Sequence, residues 1–133
     1  MIMASPDKQQ TQKNQHFSQA LRHAIDGIMD IIYHEPNMRY HMVFAVGALL
    51  VGVILQISRM DWLWITLAIF TVMLAEFANT IAESLTDLIT HGRFDPLAKR
   101  VKDVAAGAVV VAAVFAIITG ALIFVPRLWA LLG

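Results

Sequence analysis

Four side chains able to do acid–base or ligand chemistry recur along one otherwise apolar segment, AEFANTIAESLTDL at 75–88: Glu76, Asn79, Glu83 and Asp87. Steps of three, four and four place all four on one side of a helix. An ionisable group at mid-bilayer costs roughly 2.5–3.5 kcal/mol. Three acids on one stripe are therefore expected to face a protein interior or an aqueous cavity, where a carboxylate can titrate or hold a hard cation. Counting about 1.5 Å per residue from Trp62, Glu76 lies about 21 Å in and Glu83 about 31 Å in. Backbones about 10 Å apart give these two carboxylates separate tasks. A cation at Glu83 needs an oxygen ligand from another segment, and Glu35, just before Pro36, lies at the matching depth. One or two carboxylates plus substrate phosphates is the usual way Mg²⁺ is held.

The elements that must position these groups are membrane helices. The chain has 133 residues, of which 58% are hydrophobic and 15% charged. A soluble domain is nearer 45–50% apolar and about a quarter charged. The absence of Cys excludes a disulfide scaffold, and ten basic against ten acidic residues exclude a nucleic-acid binder. A span needs about 20 residues to cross about 30 Å of hydrocarbon. Three segments qualify, with membrane helices expected over 36–57, 61–90 and 96–125, the last ended by Pro126–Arg127. Lys8, Lys13, Arg22 and Arg39 precede the first span, and Arg93, Lys99, Arg100 and Lys102 separate the second from the third. Only Arg59 and Arg127 fall on the other side, so the N-terminus and the second loop are expected in the cytoplasm and the C-terminus outside.

Residues 1–15, rich in Gln, Lys and Asn, read as a mobile tail ahead of a single membrane domain at 16–133. Residues 16–33 alternate an apolar side (Phe17, Leu21, Ala24, Ile25, Ile28, Ile31, Ile32) with Arg22, His23, Asp26 and Asp30. That describes an amphipathic helix in the cytoplasmic interface, although one docked on the bundle would carry the same pattern. Asp95–Pro96 is a helix start, with Asp as cap and Pro in the first turn. The helix that follows brings Lys99, Lys102 and Asp103 to the cytoplasmic lip, where Lys99 and Arg100 read as positive-inside anchors. Ala108, Ala112, Ala116 and Gly120 make a small-residue stripe for close helix contact. None of the five histidines has metal-ligand spacing, and all are expected at interfaces or in loops. There is no GK[ST] phosphate loop, no HRD or DFG and no G-x-S-x-G. Three helices scarcely enclose an acidic site, so a homo-oligomer is expected.

Two motifs carry a resemblance. Glu76-Phe-Ala-Asn79-Thr80-Ile-Ala-Glu83-Ser-Leu-Thr-Asp87, followed by Ala98-Lys99-Arg-Val-Lys102-Asp103-Val-Ala-Ala106-Gly107-Ala-Val, resembles the prokaryotic diacylglycerol kinase and undecaprenol kinase family. Glu35-Pro-Asn37-Met-Arg39-Tyr-His41 resembles the family's E-x-N-x-x-x-H segment, and Ala24 and Gly27 fit its surface helix. The likeness runs from about Phe17 to the C-terminus.

The resemblance implies an all-α integral membrane homotrimer that uses MgATP to phosphorylate a lipid hydroxyl at sites between subunits. It makes Glu76 the general base at the lipid, with Ala106 lining the lipid site. It makes Glu35 and Glu83 the ligands of Mg²⁺ and so of the ATP phosphates, Asn79 the residue that orients the acids, and Lys102 and Asp103 nucleotide contacts. AAGAV and DPLAKR look like the Gram-positive branch, associated with undecaprenol and the product undecaprenyl phosphate, whereas the branch with GSAAV prefers diacylglycerol. Ile81-Ala82 and Val101 depart from the family pattern without removing a polar group, and bear on helix contacts near the site. A proton- or cation-conducting subunit would account for Glu76 but not for Glu35 or Lys102-Asp103. Purely structural acids in an assembly would not justify the insertion cost.

Overall fold

The computed structural model describes residues 16–133, so the expected 1–15 tail lies outside the described residues. Four helices follow one another: α1 Phe17–His34, α2 Pro36–Ile54, α3 Arg59–Thr90 and α4 Pro96–Leu132. The described residues contain no strand. α2, α3 and α4 are long and apolar enough to cross a membrane. Val43, Phe44, Leu50, Val111, Ile117 and Leu122 are among the many large apolar side chains left exposed, as expected where lipid or other subunits take the place of water. The end carrying α1 and the 91–95 turn is called the near end here, and the end carrying the 55–58 turn the far end.

One residue separates α1 from α2. Glu35 must leave the helical region because the ring of Pro36 disfavours it, and its φ of −100° and ψ of 107° are extended. Pro36 then opens α2, where its missing N–H costs nothing. Arg39 reaches back over this elbow and donates to the carbonyl of Tyr33 at 2.7 Å, satisfying a group that the end of α1 leaves open. Glu35, set in the elbow, therefore has a fixed backbone, while its carboxylate makes no cap hydrogen bond.

α3 and α4 form the tightest pair and run antiparallel. At the near end α3 closes on His91 and Gly92, both left-handed with φ of 53° and 71°. Asp95 then caps α4 as expected, accepting from the backbone N–H of Leu97 at 2.8 Å and of Ala98 at 3.0 Å. At the far end α3 begins earlier than expected, at Arg59, because Ser58 and Asp61 make a capping box.

Three further expectations are corrected. α2 ends at Ile54 rather than at 57, with Leu55 and Gln56 already in the turn. α4 does not stop at 125 but continues through Pro126 to Leu132. A proline there removes one backbone hydrogen bond, a loss that helices in apolar surroundings accommodate. Arg127 is also held from across the bundle, by Asp61. The small-residue stripe of α4 is not one uniform contact line either: Ala112 is buried with Thr119, Ala116 and Gly120 line a cavity, and Ala108 is exposed. Four hydroxyls, those of Thr71, Thr86, Thr90 and Thr119, donate to carbonyls one turn back on their own helices and so need no other partner. Of the departures from the family pattern, Ile81 and Val101 are exposed and Ala82 is half-buried.

Candidate functional site

The α3 stripe forms, but its members are not equivalent. Glu76 is 2% exposed and Asn79 is also buried, Glu83 is half-buried and Asp87 is exposed. Burial within the chain falls off along the helix toward the near end. The Asn79 amide donates to Glu83 Oε1 at 3.0 Å, one turn away, which ties the orientation of that carboxylate to the buried amide.

Glu76 meets α2. His41 Nε2 stands 3.0 Å from Glu76 Oε1, while the same oxygen takes no aligned hydrogen bond from any donor. The contact is a close approach of imidazole to carboxylate that falls short of hydrogen-bond geometry. Asn79 Oδ1 and Thr80 Oγ1 are likewise buried without a partner. Three polar atoms left unbonded on one short stretch of α3 contrast with the self-satisfied threonines elsewhere, and unbonded buried polar atoms are uncommon in folded proteins. His41 therefore does not behave as the interfacial or loop histidine expected from the sequence. Its role turns on a contact between residues 35 positions apart, which no spacing rule reveals. Thr80, too, went unassigned, although its place beside Asn79 was visible.

At the mouth of the site Lys102 donates to Asp87 Oδ1 at 2.6 Å, joining α4 to α3, and Lys99 is paired with Asp103 one turn on. Ala106, one turn beyond Asp103, is exposed. Glu35 is half-buried at its elbow. No three His, Asp or Glu side chains among the described residues gather as a metal site within one chain. The donors that are available, carboxylate oxygens on Glu35 and Glu83, are the hard oxygen ligands that Mg²⁺ takes, and their small number suits an ion that completes its shell with phosphate and water.

Beyond His41 an apolar cavity of about 310 Å³ opens between α2, α3 and α4, lined by residues such as Ala48, Ile65, Val72, Ala116 and Phe124. The imidazole that touches the buried acid thus borders an apolar cavity, while the ion pairs of Asp87 and Asp103 stand toward the near end.

The structure holds a carboxylate buried among three long apolar helices, with acids and lysines toward one end of the same helices. The sequence profile of the prokaryotic diacylglycerol kinases matches residues 22–124, and the chain belongs to that family of lipid kinases. It is 40% identical over 112 residues to the undecaprenol kinase of Bacillus subtilis (strain 168), an alignment covering 84% of this chain and 90% of the relative. It is 32% identical over 113 residues to the diacylglycerol kinase of Synechocystis sp., covering 85% of this chain and 65% of that longer relative.

Proposed function

We propose that the chain transfers the γ-phosphoryl group of MgATP to the hydroxyl of undecaprenol, giving undecaprenyl phosphate, in a bacterial cell membrane. The observation that carries this reading is the buried Glu76 carboxylate with an unbonded oxygen. Its support on the substrate side is the likeness to the undecaprenol kinase over most of both chains.

Glu76 accepts the proton of the lipid hydroxyl, and the freed oxygen attacks the γ-phosphorus as the bond to the departing ADP breaks. A base in hydrocarbon surroundings meets an alcohol that cannot leave the membrane, and the apolar cavity adjoining His41 supplies such surroundings. Glu35 and Glu83 hold Mg²⁺, whose charge offsets that of the phosphates when bound. Asn79 keeps Glu83 oriented, Lys102 and Asp103 contact the nucleotide, and Ala106 lines the lipid side. Such a reaction asks the protein mainly for positioning and charge neutralisation, which a few side chains can supply.

The working unit is a homotrimer with sites between subunits. Support comes from the extensive exposed apolar surface of α2 and α4 and from a metal-ligand set that, among the described residues, stays below three groups in one chain. α1 lies in the interface as an amphipathic helix, with Phe17, Leu21, Ile25 and Ile28 exposed for contact with lipid. The near end, with the N-terminus, is cytoplasmic and the C-terminus is outside, following the distribution of basic residues.

The test is transfer of labelled γ-phosphate from MgATP in detergent micelles, with undecaprenol and diacylglycerol compared side by side. Faster labelling of undecaprenol is expected. Preferential labelling of diacylglycerol would reassign the substrate, and labelling of neither, with dissipation of an imposed pH gradient, would turn the reading toward a proton-conducting subunit.

A further inference from the structure

We infer that Thr80 is a substrate-binding residue of the same site: its hydroxyl donates a hydrogen bond to the oxygen of the lipid alcohol whose proton Glu76 takes. The inference rests on the lipid-kinase reading and deepens it. Among the described residues, three buried side-chain atoms have no hydrogen-bond partner, Glu76 Oε1, Asn79 Oδ1 and Thr80 Oγ1, and all three fall between positions 76 and 80 of α3. Glu76 and Asn79 are only 2% and 6% exposed, so bulk water does not serve them. Buried polar atoms are nearly always bonded. Three open ones on one turn of helix mark a place for a polar group that comes from outside the chain.

A threonine in an apolar helix has a ready partner in its own backbone. Thr71, Thr86, Thr90 and Thr119 each donate to the carbonyl four residues back, at 2.7 to 2.9 Å. Thr80 makes no such bond, so its donor is kept open. The chemistry of the three open atoms then separates them. An ionised carboxylate and an amide oxygen only accept, and the Asn79 amide nitrogen is already given to Glu83 at 3.0 Å. Of the three, only the Thr80 hydroxyl can donate. The cations nearby are taken: Arg39 bonds the carbonyls of Ile32 and Tyr33, and Lys102 bonds Asp87.

An acceptor beside a donor is what an alcohol oxygen requires, since it carries one proton and two lone pairs. Residues four apart on a helix stand about 5–6 Å from each other at Cβ, so one oxygen atom can reach both Glu76 and Thr80. Along the axis Thr80 lies about 6 Å from Glu76 toward the near end and about 4.5 Å short of Glu83. It thus sits between the proposed base and the proposed Mg²⁺ ligand, at the level where the alcohol oxygen must meet the γ-phosphorus. In the transfer the alcohol O–H bond breaks and its proton bonds to a Glu76 oxygen. One lone pair of the alcohol oxygen forms the bond to phosphorus, and ADP departs with the electron pair of the broken bond. The Thr80 hydroxyl keeps its own proton and holds the second lone pair, which fixes the direction of attack.

The experiment compares wild type, Thr80→Val, Thr80→Ser and Thr86→Val in detergent micelles, by γ-phosphate transfer from MgATP to undecaprenol and by thermal denaturation. Thr80→Val keeps the shape of the side chain and is expected to lower kcat/KM for the lipid about tenfold. KM for MgATP should stay within about twofold, and the denaturation midpoint should be no lower than that of wild type. Thr80→Ser retains the hydroxyl and should retain most of the activity. Thr86→Val should do the reverse of Thr80→Val, lowering the midpoint and leaving kcat/KM unchanged. The inference is overturned if Thr80→Val is fully active, if its activity and its midpoint fall together, or if Thr80→Ser loses as much activity as Thr80→Val, since the last two outcomes mark a packing role. A wild type that labels no lipid would instead bring down the kinase reading, and this inference with it.

Discussion

Asp61 and Glu76 are carboxylates on the same helix, about 22 Å apart along its axis, and their surroundings differ in kind. Asp61 Oδ2 accepts from the Ser58 N–H at 3.0 Å, the Ser58 hydroxyl at 2.8 Å and Arg127 Nη2 at 2.5 Å. Its own N–H donates to Ser58 Oγ at 3.1 Å. Glu76 has a single imidazole beside it and an oxygen with no aligned donor. The far-end acid closes a cap and ties α3 to α4, with one oxygen, Oδ2, holding all three of these contacts. The interior acid keeps capacity in reserve, and a base must do so if it is to take a proton from something that arrives later.

That contrast can be broken by experiment. The largest effect is expected from Glu76→Gln, which removes the proposed base while keeping the shape of the side chain: kcat should fall by about 10³-fold with MgATP binding retained. Loss of ATP binding, measured by equilibrium titration, would move Glu76 into the metal site. Glu83→Ala and Glu35→Ala come next, with an Mg²⁺ requirement raised by about tenfold or more in titrations of initial rate. An unchanged Mg²⁺ dependence would overturn that assignment.

Arg127→Leu should act on the other side of the comparison, shortening survival in thermal inactivation through a loss of about 1 kcal/mol while leaving kcat of the surviving enzyme unchanged. A fall in kcat without a loss of stability would break the division between a structural far end and a chemical interior. The smallest pair sharpens it. Thr86→Val removes a back-bonded hydroxyl and should cost about 1 kcal/mol in thermal denaturation, whereas Thr80→Val removes an unbonded one and should be neutral or stabilising.

What the sequence disclosed was what local chemistry controls. The α3 stripe, the Asp95 cap and the turn at Pro36 follow from spacing within one or two turns, and all three appear in the structure. Ser58-x-x-Asp61 was equally local, yet the long apolar run from Trp62 concealed the earlier start of α3. Pro126 misled because its usual effect as a terminator belongs to helices in water, and the partner of Arg127 lies 66 residues away. His41 stood out as the last residue of its motif segment, but its contact with Glu76, 35 residues away, did not. A histidine near the start of an apolar helix looks interfacial until the helix that faces it is known.

Gly52 gives the far end one more consequence. A methyl group there would meet the Trp62 ring at 2.8 Å and the Ile57 side chain at 3.0 Å, so α2 is pinned against an indole at a point where nothing larger than hydrogen fits. Gly52 lies about 16 Å along the helix from His41, which makes α2 a lever with its fulcrum at the indole. A tilt of about 5° at that pivot would swing the imidazole by about 1.4 Å against Glu76. The seating of α2 on α3 is therefore set partly by the absence of a side chain at a point remote from the buried acid.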